Sequence, residues 1–390
     1  MKALRTVSQR NLAATAAALV AVTVLSGCGG WRSSAPTEDR AGLDFDVAGW
    51  KTDFSRHSAP LSQFHSGGPP RDGIAPIDHP KPISITQARG DGFDAREPVI
   101  VVRVGNAVRA YPEEILVWHE IVNDVLSGLP IAVTYCPLCN SGVAYDRRAA
   151  GRTLTFGTTG NLRNSDLVMW DRQTESWWQQ IGGEAVVGQL TGTKLRAVDA
   201  QVLSWADFKR RYPNGDVLSI DTGFDRPYGD NPYVEYETAR EPPIFFKGRS
   251  DPRLPAKERV VAVTVDKSTV VFPFSALRRN PVANGNVGGE PVVVLYRRGV
   301  RSALDAQAIT QSRDVGTAGA FGRRLHGRTL RFELRGGNFV DRETGSTWDL
   351  TGRAVAGPLR REQLRPVFHD EQFWFALAAF LPKAKVFGSR

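Results

Sequence analysis

The stretch Ile131-Ala-Val-Thr-Tyr-Cys-Pro-Leu-Cys-Asn-Ser-Gly-Val-Ala-Tyr-Asp146 decides how the chain is read. An alternating apolar run enters a Cys-Pro-Leu-Cys turn, and a second alternating run leaves it. Alternation at period two marks half-buried strands, so this is strand, knuckle, returning strand, with two thiols at the tip. The runs upstream extend the pattern. Pro98 to Val104 reads as a strand, Gly105-Asn106 as a hairpin turn, and Ala107 to Tyr111 as its partner. Pro112 with Glu113 and Glu114 starts a helix, since acids suit the positive end of its dipole. That helix is expected to run to about Asn123, placing Leu116, His119, Glu120 and Asn123 on one face.

The 38 Gly and 24 Pro among 390 residues, with 41% hydrophobic residues and nine Trp, point to many turns around packed cores. The expected fold class is β-rich α+β, mainly antiparallel with short helices. The formal charge of +9 falls to about +6 without Lys2, Arg5 and Arg10, which lie in a segment expected to be removed. The remaining Arg residues are interspersed with acids rather than gathered in a stripe, which argues against nucleic acid as a partner.

The basic start is followed by an apolar run from Leu12 to Val24 and then Leu25-Ser-Gly-Cys28. This pattern is a signal peptide ending in a lipobox, with Cys28 the lipidated residue. The apolar run is short for a transmembrane span. The expected product is a cell-membrane lipoprotein on the extracytoplasmic face, meeting the membrane through its lipid, with no protein partner indicated. Cys136 and Cys139 are then the only thiols of the mature chain. Outside the cytoplasm a lone close pair is a metal ligand pair, a redox dithiol, or a disulfide that pins a turn.

From Glu258 the chain repeats the segment from Glu97 at a constant offset of 161 for nearly forty residues. Val99, Pro112, Leu116, Asn123 and Tyr135 meet Val260, Pro273, Leu277, Asn284 and Tyr296. Further on, Asp171-Arg-Gln-Thr-Glu-Ser answers Asp341-Arg-Glu-Thr-Gly-Ser, and Trp178 answers Trp348. The expectation is two tandem copies of one β unit. The segments are then a signal peptide (1–27), a tether and N-terminal segment (28–66), a first unit (67–220), a linker (221–250) and a second, degenerate unit (251–390). Residues common to both copies serve the fold; those confined to one are candidates for chemistry. The second copy replaces Cys136 to Cys139 with Arg297-Arg-Gly-Val300, His119 with Asn280 and Glu120 with Pro281, and shortens the loop Asn161 to Asp166. The helix face, the knuckle and that loop are therefore expected to meet.

A Cys-Pro-x-Cys turn supplies two metal ligands. His119 is the natural third, with Met169 or Asp166 as the fourth and Glu120, Asn123 and Asn164 around them. Thiolates with imidazole suit zinc or copper, and a thioether favours Cu(I). A thiol-disulfide redox protein, an enzyme using the pair, and a non-catalytic scaffold with a structural disulfide remain open as alternatives. No Gly-x-Ser-x-Gly elbow, P-loop or His-Glu-x-x-His motif is present.

Taken together, Trp118-His-Glu-Ile-Val-Asn-Asp124, Thr134-Tyr-Cys-Pro-Leu-Cys139, Asn164-Ser-Asp-Leu-Val-Met169 and the Asp171-Arg-x-Thr turn resemble a family of exported bacterial and archaeal proteins. That family is catalogued as a domain of unknown function. The resemblance runs from about Gly67 to the C-terminus and departs at Asn140, where Gly is expected. It implies the architecture and no activity.

Overall fold

Alternating β-branched runs dominate residues 98–146, and their pairing sets the frame. The computed structural model describes residues 45–90 and 92–388, so the expected signal peptide and Cys28 lie outside the described residues. Strand β1 (Pro98–Val104) pairs antiparallel with β2 (Ala107–Pro112) across a two-residue turn. Gly105 takes a positive φ at the first turn position, as a type II′ hairpin requires. Pro112 caps helix α1 (Glu113–His119), and strands β3 (Ile121–Leu126), β4 (Leu129–Cys136) and β5 (Ser141–Asp146) follow as a meander.

Helix α1 is shorter than the periodicity suggests. Glu120 adopts a left-handed φ of 58° and ends the helix, while Ile121 and Val122 go into a strand. Asn123 therefore lies on β3 and shares no helix face with His119. The β-branched pair gains more from registry with Val133 and Thr134 than from a further helical turn.

Strands β6 (Phe156–Arg163), β7 (Asp166–Asp171) and β8 (Trp177–Gln179) form a second meander. The expected loop from Asn161 to Asp166 is in fact a tight hairpin, with Asn164 and Ser165 alone between β6 and β7. Strand β9 (Ala200–Ser204) pairs with β1, and the Ser204 hydroxyl caps helix α2 (Trp205–Arg211) through the Asp207 amide at 3.1 Å. Ahead of these elements, Phe45, Trp50 and Phe54 pack on Trp170 and Trp177, so ordered packing begins within the expected tether and N-terminal segment.

Residues 259–388 run through β10 (Arg259–Val265), β11 (Ser268–Pro273), α3 (Phe274–Arg279), β12 (Val282–Val287), β13 (Glu290–Arg297) and β14 (Thr317–Gly322). Strand β15 (His369–Phe373) and helix α4 (Trp374–Phe380) close the chain against β10. The architecture is β-rich, with mainly antiparallel sheets and short helices. Its largest apolar core takes Val122, Ile131 and Leu203 from one half and Leu295, Phe321 and Phe373 from the other. No helix among the described residues is long and apolar enough to cross a membrane.

Candidate functional site

The knuckle is built as its sequence suggests. Cys136 pairs in register with Ser141, leaving Pro137 to Asn140 as the turn. Asn140 takes a left-handed φ of 50°, which its short polar side chain tolerates where Gly is more usual. Its amide donates to the Pro137 carbonyl at 3.2 Å.

The β6–β7 hairpin brings its tip to the thiols. Asn164 and Ser165 both have positive φ, the signature of a type I′ turn, and this aims the Ser165 carbonyl at the cysteines. That oxygen accepts from Cys139 Sγ at 3.3 Å and from Cys136 Sγ at 3.8 Å. The next residue, Asp166, is fully buried beside them. A ligand atom from each of Cys136, Cys139 and Asp166 lies within 4.8 Å of the others. Asp166 Oδ2 accepts from the Ile181 amide at 3.0 Å and from Gln179 Nε2. Its Oδ1 is buried with no hydrogen-bond partner among the described residues.

Glu120 completes the convergence. Its amide reaches back to Leu116 at 2.7 Å, and its carbonyl accepts from Tyr135, next to Cys136, at 2.8 Å. It lines a pocket of about 130 Å³ with Leu138, Leu167, Tyr233, Ile244 and Phe245. Helix end, knuckle and hairpin thus meet, but through Glu120 rather than His119. Burial sets the electrostatics. It pushes both thiols up, Cys139 well above its ordinary value, and the Asp166 carboxyl adds to the rise. Burial also raises Asp166 to about 7 and, with Asp166 contributing, Glu120 to about 8.

The other candidates lie elsewhere. His119 Nδ1 donates to the Ala75 carbonyl at 2.7 Å, and Nε2 accepts from the Tyr228 hydroxyl at 2.6 Å. Burial keeps this imidazole below its usual range, hence neutral, and both nitrogens are committed. Asn123 clamps the Phe156 backbone, donating to its carbonyl at 2.8 Å and accepting from its amide at 2.9 Å. Met169 is paired between Thr158 and Trp178 and packs in the main core, on the strand face opposite Asp166. Asn164 contributes its turn conformation.

Several neighbours escape a reading by motif. The segment 221–250 lies across the knuckle: Tyr236 OH donates to the Leu138 carbonyl at 2.9 Å, and Ser165 Oγ donates to the Ile244 carbonyl at 2.6 Å. From the other half, the Phe373 amide donates to the Cys139 carbonyl at 2.8 Å. The Asp-, Pro- and Tyr-rich composition of that segment and the run Thr222-Gly-Phe-Asp-Arg226 are the sequence signals that mark it.

Comparison with known proteins adds the frame. A family described as protein of unknown function, DUF3179, matches residues 71–384. No curated protein and no solved structure matches the chain.

Proposed function

We propose a function for this chain, which belongs to that family, from its site alone: an extracytoplasmic lipoprotein that holds one zinc or copper ion between Cys136, Cys139 and Asp166. One observation carries the reading. Two buried thiols converge on a buried carboxylate whose Oδ1 meets no nitrogen or oxygen donor among the described residues, leaving the thiols, weak donors, as its nearest polar neighbours. A buried acceptor so poorly met is costly, and a cation at this point would remove that cost. It would also reverse the raised pKa values, since metal ligation draws protons from thiols and carboxyls alike. Two sulfurs and a hard oxygen favour zinc over Cu(I). Glu120, on the wall of the adjoining pocket, is the candidate for a fourth ligand.

The tandem reading supports specialisation of the first half. β1 to β4 and β10 to β13 have bounds related by the same offset of 161, and α1 and α3 begin at matching positions. Asn284 clamps Phe332 as Asn123 clamps Phe156. Since β13 forms without cysteine, folding of the unit does not require the thiols.

A second reading, a dithiol that cycles with a disulfide, draws on the two sulfurs sharing one carbonyl acceptor. Their raised pKa values disfavour it, because reactive thiols are stabilised as thiolates. Elemental analysis of protein purified without chelator separates the two. About one ion per chain is expected, lost in Cys139→Ser and Asp166→Asn and retained in His119→Ala. Equal metal content in wild type and in both ligand variants would overturn the proposal.

A further inference from the structure

Helix α2 and the second half flank an open pocket of about 460 Å³, remote in sequence from the thiols and lined by Arg210, Arg211, Arg297 and Arg353. Only Asp207 and Asp349 among its lining residues are acidic, so four guanidinium groups face two carboxylates. Arg210 pairs with Asp207. Arg211 spans to Asp349 at 3.6 Å, Thr351 at 3.0 Å and Gln363 at 3.3 Å. One Asp349 oxygen is already taken up by the Thr351 hydroxyl and the Thr351 and Arg353 amides. Arg297 and Arg353 have no side-chain hydrogen bond or ion pair among the described residues. Arg297 lies only over the Phe339 ring, 4.9 Å from its centroid.

That is unusual for this molecule. Where other arginines are half-buried or more, an acceptor answers them: Arg109 has Asp124, Arg259 has Glu237, and Arg147 and Arg323 have backbone carbonyls. Arg297 is half-buried with a ring face beneath it, and burial together with Arg210 lowers its pKa against the opposing pull of Asp349. A contact of that kind is worth about 0.5–1 kcal/mol. Planar guanidinium forks match oxyanions with two or more oxygens, and several together suit a doubly charged head. Leu203, Leu350 and the Trp348 side chain supply an apolar wall, so the space takes an organic body as well as an ion.

We propose that this pocket binds a small organic dianion, a phosphate monoester or a dicarboxylate, with Arg297 and Arg353 gripping its oxygens. Arg297 occupies the position of the second half that corresponds to Cys136. The two strand ends would then carry opposite ligand preferences, a cation in one half and an anion in the other. The pocket stands independently of the metal site, since none of its lining residues takes part there.

Calorimetric titration of the full chain at fixed ionic strength tests it, with glycerol phosphate and succinate as probes and chloride as the reference. Saturable binding of at least one probe is expected, and which of the two binds identifies the head group. Arg297→Ala and Arg353→Ala should each weaken it about tenfold or more. Arg297→Lys, which keeps the charge and loses the fork, should fall between. Arg278→Ala, on a different cavity, and Cys139→Ser should leave the affinity unchanged. Circular dichroism confirms folding; if Arg297→Ala fails to fold, Arg353→Ala carries the test. Absence of saturable binding by both probes, or folded Arg variants that bind like wild type, would overturn the inference.

Discussion

Glu113, Asp370 and Glu371 are buried carboxyls, raised by that burial to about 8, about 7 and about 7. In the unfolded chain such groups ionise near pH 4, whereas the folded protein keeps their protons. Their contribution to stability is therefore complete below that pH and is lost as pH rises through 7 to 8. Urea denaturation should accordingly give a higher midpoint at pH 5 than at pH 8, and Glu113→Gln should flatten the difference. Glu237 has the opposite sign. Despite its burial, Arg259 holds it down at about 2 through two hydrogen bonds of 2.8 and 2.9 Å. Its contribution is present above the ordinary carboxylate range and disappears as pH falls toward 2. Glu237→Gln would strand the buried Arg259 charge and should cost about 3–5 kcal/mol at neutral pH, read as a drop in denaturant midpoint. At the thiol site, ligands must shed protons to bind, so zinc affinity measured against a chromophoric chelator should rise with pH. A flat profile would speak against Cys136, Cys139 and Asp166 as ligands.

Paired features at the scale of strands and turns sort structure from chemistry. Each Asn clamp satisfies both backbone groups of a neighbouring strand end, so Asn123→Ala and Asn284→Ala should each lower stability by about 1–3 kcal/mol without changing metal content. The Asp171 carboxylate gathers Thr174 and the Trp178 indole at 2.9 Å, and Asp341 gathers Thr344 and Trp348 at 2.8 Å in the same way. These elements were legible because alternation and turn chemistry are local. The bounds of β1 and β4 and the left-handed Asn140 follow from residues within a few positions of one another. The end of α1 was less so, since spacing alone places Glu120 on a helical face while strand pairing of Ile121 and Val122 overrides it. The partners of His119 were out of reach: Ala75 and Tyr228 lie 44 and 109 residues away, and no periodicity reports such distances. Asp166 was legible as a candidate ligand on a loop expected to meet the knuckle, while the geometry that brings it there, the I′ turn of Asn164 and Ser165, was not.

Across the whole molecule, the two halves share one core, and the second half reaches the first half's knuckle through Phe373. Attachment to the membrane is expected to reside in Cys28 alone. Cys28→Ala should therefore abolish incorporation of labelled palmitate, while the purified variant should match wild type in metal content. Palmitate incorporation that persists in Cys28→Ala would refute the lipobox. The segment 221–250 has a further consequence. It is fastened to the knuckle at Tyr236, to the β6–β7 hairpin at Ile244 and to His119 at Tyr228, yet Phe224, Val234, Ile244 and Phe245 on it stay partly exposed. Beyond the buried Glu237–Arg259 pair, residues 240–250 bury only Pro243, and a stretch held so lightly opens by local rather than global unfolding. The residence time of an ion beneath it would then be governed by how often that strap lifts, not by the strength of the sulfur bonds alone. Delivery and release would be timed events.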